Sequence, residues 1–139
     1  MINIFNTQRK VKVTEEFKNK LQNFLQEVLR SEDIENEFLE INIIFVNNKR
    51  IRELNREFLK RDRPTDVISF NLGDVGEIYL STWTALERSK EYGWDVKFEI
   101  VRYALHGLLH ILGYDHEKEE DAQKMEEKEE TYLERWKYR

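Results

Sequence analysis

Hydrophobic and polar positions change their period several times along the chain, and each change marks an element. Residues 2–6 (Ile-Asn-Ile-Phe-Asn) alternate apolar and polar side chains, the period of a strand with one buried face. The period then lengthens. Phe17, Leu21, Phe24, Leu25, Val28 and Leu29 recur at three- and four-residue steps, which predicts an amphipathic helix from Thr14, with Glu16 in its first turn, to about Arg30. A polar connection over 31–36 leads into 38–46, rich in Ile, Phe and Val and read as a buried strand. Asn47 and Asn48 break it and can cap a helix to about Leu59, with Ile51, Leu54 and Phe58 facing inward. The basic loop 60–64 closes on the only proline, which disfavours helix at Arg63. Strands follow at 66–72 and 77–80, joined by a turn at 71–76, a connection short enough to favour an antiparallel pair. A helix starting at Ser81 or Thr82 ends near Tyr92-Gly93, a long one starts at Asp95, and a very polar one covers 117–136. This order predicts an α+β fold: one domain over 1–139, with a mixed sheet of about four strands covered by about five helices.

Composition bounds this picture. A length of 139 residues with 40% hydrophobic side chains supports one real core. With no cysteine there is neither a disulfide framework nor a thiolate metal site. The first residues lack the apolar core of a signal peptide, and no apolar run is long enough to cross a membrane, so a soluble cytoplasmic protein is expected. The net charge of -5 hides a polarity: seven basic residues against three acidic ones over 49–63, and ten acidic against three basic over 115–134. Local potential, rather than the mean, steers a polyanion. The acidic stretch reads first as a solvated helix packed through Met125, Tyr132, Leu133 and Trp136, with exclusion of a polyanion or contact with a basic protein as alternatives.

All three histidines fall within eleven residues, His106-Gly-Leu-Leu-His110-Ile-Leu-Gly-Tyr-Asp-His116. His106 and His110 stand four apart, one turn apart on one helix face, while Val101, Ala104, Leu105, Leu108 and Leu112 gather on the other. Gly113 is suited to end the helix in a left-handed turn and bring His116 back past that end. Three imidazoles and an open fourth position are what a catalytic zinc needs, which predicts one zinc per chain at the end of a central helix; coincidental structural histidines are the competing explanation. Nickel, copper or iron suit the same nitrogens. Asp115 could complete a closed structural site, but orienting a histidine is the preferred role for a neighbour of His116. The spacing matches metalloprotease ligands, yet Gly107 stands where those enzymes carry their general-base glutamate, so peptide hydrolysis is disfavoured. A metal that lowers the pKa of its water to about 7 could instead cut a phosphodiester, given cations for the extra charge. Lys60, Arg61 and Arg63 are candidates.

The run from His106 to His116 closely resembles the H-G-x-L-H-x-x-G-Y-D-H motif of the YbeY family, bacterial endoribonucleases of ribosomal RNA maturation. Leu54-Asn55 followed by Arg63-Pro64-Thr65-Asp66-Val67-Ile68-Ser69-Phe70 resembles its second signature. Gly76-Glu77-Ile78-Tyr79-Leu80-Ser81 resembles its Gly-Asp-Ile strand, with Glu77 in the acidic position. The resemblance implies one zinc on His106, His110 and His116 and cleavage of single-stranded RNA. It further implies 3′-end maturation of 16S ribosomal RNA on the small subunit, and ribosome quality control. The chain departs from the family at Phe58-Leu59, where an aromatic–arginine pair is usual, so Arg61 or Arg63 becomes the expected phosphate contact; Asn71 stands in place of a proline. Two other functions compete: a non-enzymatic assembly factor whose zinc only fixes the fold, and a peptide or amide hydrolase.

Overall fold

The computed structural model describes residues 1–34, 37–38, 40–60, 65–114 and 117–138. Its elements run β1 (Ile2–Asn6), α1 (Glu15–Ser31), β2 (Glu40–Val46), α2 (Asn48–Leu59), β3 (Val67–Asn71), β4 (Val75–Ser81), α3 (Thr82–Tyr92), α4 (Val96–Ile111) and α5 (Glu119–Lys137). This is the expected α+β fold, a four-stranded mixed sheet in the order β1-β2-β4-β3 with five helices. β1, β2 and β4 are mutually parallel, and β3 returns antiparallel along β4, as the short connection requires.

Local chemistry sets the ends. Thr14, Asn47, Ser81 and Asp95 each place a side-chain oxygen on an orphan N–H of the helix that follows. Gly93 closes α3 at φ 74°, a left-handed position that costs glycine nothing. β3 is one residue shorter at each end than expected, while β4 begins two residues earlier, at Val75. The turn is confined to 72–74, because Leu72 N–H reaches the Val75 carbonyl at 2.8 Å.

The sheet buries both faces. Ile41, Ile43 and Phe45 of β2, with Ile78 and Leu80 of β4, meet α1, α4 and α5 in the main core. Val46 and Ile68 face the other way and, with Ile51 and Leu54 of α2, form a smaller one. Phe58 is not inward as its spacing suggested. It is 53% exposed, its ring lying edge-on to Phe70 at 5.2 Å near the last turn of α2. The polar helix α5 packs through Met125, Tyr132 and Trp136, the indole standing edge-on to Phe17 and Phe24 of α1. Among the described residues no helix is long and apolar enough to cross a membrane.

Candidate metal centre and its cleft

α4 is the central helix and carries the histidine pair in its last two turns. Its sequence is too apolar for a surface helix, and the fold buries it on nearly every side, including Ile100, Val101, Ala104, Leu105, Leu108 and Leu109. Beyond Val96 and Lys97 at its start, one line, Phe98, Arg102, His106 and His110, reaches towards solvent at four-residue steps. The two imidazoles therefore share one face as predicted, with ring centroids 4.9 Å apart and planes at 72°.

Gly107 explains how a buried helix comes this close to the sheet. A Cβ there would lie 2.7 Å from Cγ2 of Ile78 and 3.2 Å from Cγ2 of Val67. The glycine thus lets α4 lie close on β3 and β4. A glutamate side chain at this position would start into the sheet, away from the imidazole line. The missing general base of a metalloprotease thus has a packing cause.

The helix ends as Gly113 foretold. Gly113 adopts φ 102°, its N–H bonds the His110 carbonyl at 3.0 Å, and Tyr114 N–H bonds the Leu109 carbonyl at 3.0 Å. The Tyr114 hydroxyl then donates to Glu32 Oε1 at 2.5 Å, just past the end of α1. Glu32 also accepts from Tyr132 and, at 3.2 Å, from Lys128. Burial works to raise the Glu32 carboxyl, but the hydrogen bonds from Tyr114, Tyr132 and Lys128, with the lysine's charge, hold it below its ordinary value. Burial and the same carboxylate push the Tyr114 phenol up to about 12, so it remains a donor at neutral pH.

His106 and His110 open onto a cleft of about 570 Å³, walled by residues 65–69, Leu59 and Glu117. Leu59, 47% exposed, puts an apolar side chain where the family resemblance calls for arginine. Asp66 turns its Oδ1 onto Val67 N–H at 2.8 Å and so caps the start of β3. His116, Asp115, Arg61 and Arg63 lie outside the described residues. Among the described residues no three metal-ligating side chains gather; two of the three predicted imidazoles do. Tyr114 and Glu117, on either side of the Asp115-His116 pair, stand respectively on the Glu32 cluster and in the cleft wall.

One contact was missed from sequence. Nδ1 of His106 lies 2.5 Å from Oε1 of Glu129 on α5. A signal for it existed: Ala122, Met125, Glu129, Tyr132 and Trp136 form one inward stripe at alternating steps of three and four, and Glu129 is its charged member.

Comparison with known proteins places this architecture. The family described as Endoribonuclease YbeY matches residues 3–137. A protein named Endoribonuclease YbeY from Clostridium botulinum (strain Alaska E43 / Type E3) is 37% identical, covering 96% of this chain and 96% of its own. One of the same name from Bacillus cytotoxicus is also 37% identical, over 96% of this chain and 94% of its own. A solution structure from Thermotoga maritima, 32% identical, superposes with a TM-score of 0.73 over 98% of this chain and 89% of that one.

Proposed function

The chain belongs to the YbeY family of endoribonucleases, and we propose that it is a zinc-dependent enzyme cutting single-stranded ribosomal RNA. The observation that carries the reading is the His106–His110 pair, held on the open line of an otherwise buried helix and facing a cleft. The donors fit zinc: two imidazoles one helical turn apart, no cysteine thiolate in the chain, and a third histidine three residues past the glycine turn. His106, His110 and His116 would hold the ion. When bound, zinc supplies an activated water near neutral pH and positive charge for a phosphoryl oxygen.

The chain's own residues do the rest. Asp115 orients a histidine, and Arg61 or Arg63 meets an RNA phosphate. Residues 65–69 form a wall along which the strand lies. The substrate is the 3′ region of 16S ribosomal RNA on the small subunit, in the cytoplasm, and 1–139 acts as one unit. Gly107 weighs against peptide hydrolysis, since its Cα faces Ile78 and Val67. The extent of the main core weighs against a zinc that only fixes the fold.

The test is cleavage of single-stranded ribosomal RNA by metal-stripped protein, with and without one equivalent of zinc, beside His110→Ala. Circular dichroism follows the fold throughout. Cutting restored by zinc and lost in the variant, with the fold intact in all samples, is the expected result. Cutting by metal-free protein would overturn the metal's role, and no cutting by folded, zinc-loaded protein would favour the assembly factor.

A further inference from the structure

α5 carries eight acidic residues, and most of them project to solvent, where an acid on a helix has little to do beyond solubility. Glu129 is placed otherwise. It belongs to the inward stripe that Met125, Tyr132 and Trp136 bury against the main core. Its side chain is 22% exposed, that of His106 is 34% exposed, and the two meet at 2.5 Å. A carboxylate at a core-facing position loses hydration that an outward one keeps, so its partner must compensate. Here the partner is Nδ1 of the His106 imidazole, one of the two ring nitrogens.

We propose that Glu129 is a positioning residue of the metal centre. Its carboxylate accepts the N–H of His106 Nδ1, which fixes the proton on that nitrogen and commits the lone pair of Nε2 to the metal. It also stops rotation of the ring about its side-chain bonds and makes the imidazole a stronger donor. α5 is then part of the site and more than a cover for α1 and α4. The inference rests on the zinc reading above but concerns binding, so binding tests it without reference to RNA.

The experiment measures the zinc dissociation constant by competition with a chromophoric chelator, for wild type, Glu129→Ala, Glu129→Gln and Glu130→Ala. Glu130 is an exposed acid beside Glu129 and controls for loss of one negative charge. The expected result is a loss of about 10- to 100-fold in Glu129→Ala, the range for removing a carboxylate behind a zinc histidine. Glu129→Gln, which keeps an oxygen acceptor, recovers most of it, and Glu130→Ala binds like wild type. Nitrogen NMR of the zinc-free protein gives a second readout: the His106 proton sits on Nδ1 in wild type and shifts towards Nε2 in Glu129→Ala. Affinity within twofold of wild type in Glu129→Ala, an equal loss in Glu130→Ala, or an unmoved tautomer would each overturn the role of Glu129. Wild-type protein that binds no zinc would overturn the metal reading and this inference together.

Discussion

At Gly107 an added methyl group has no room. The nearest atom, Cγ2 of Ile78, belongs to a fully buried β-branched side chain whose χ1 is restricted, so it has little room to swing aside. Replacing a helical glycine by alanine ordinarily gains about 1 kcal/mol. Here overpacking, at about 1–3 kcal/mol, works against that gain. Gly107→Ala is therefore expected to be neutral to destabilising, with a melting temperature at or below that of wild type; a clear rise would show that α4 can move off the sheet at no cost. From the sequence this glycine was legible as the loss of a metalloprotease's general base. Its packing role was not legible, since that depends on β3 and β4 lying beneath α4.

Elements were easier to read than the ties between them. Apolar periods and capping residues gave nine elements within a few positions, and Asn47 caps α2 through Arg50 N–H at 2.8 Å. Phe58 was misplaced because a three- and four-residue rhythm continues past the point where the sheet stops covering α2. Glu32 was not singled out at all. It looks like any acid after a helix, yet it is 9% exposed and joins the end of α1 to Tyr114 after α4 and to Tyr132 and Lys128 on α5. Its carboxyl is held below the ordinary value in the fold, so it stabilises above the unfolded value near 4.5, and that contribution is lost as pH falls through the folded value. Glu32→Gln is expected to cost about 1.5–3 kcal/mol at pH 7, the scale of charge-assisted hydrogen bonds. The gap to wild type in urea denaturation should narrow below about pH 4. A gap of the same size at both pH values would mean that the charge contributes nothing.

For the molecule as a whole, sequence alone could not order the strands. Pairing of Ile2 with Ile41, and of Ile41 with Gly76, joins segments that no local pattern relates. The charge polarity was legible, and its placement was not: the cleft wall includes Asp66, Glu117 and Leu59, and the uncharged Leu59 stands at the end of basic α2. Leu59→Arg is expected to tighten single-stranded RNA binding and to steepen its logarithmic salt dependence by about 0.7 for one added phosphate contact. An unchanged slope would show that this part of the wall meets no phosphate. The strand order has one more consequence. β3 closes one side of the sheet, pairing among the described residues with β4 alone, and Val67, Ile68 and Ser69 all border the cleft in succession. Side chains along a strand alternate between faces, so three in a row can be met only from the strand's rim. That rim carries main-chain N–H and C=O groups that the sheet does not use. Whatever lies in the cleft is met there by peptide groups common to every sequence, and a scan of side-chain substitutions would pass over them in silence.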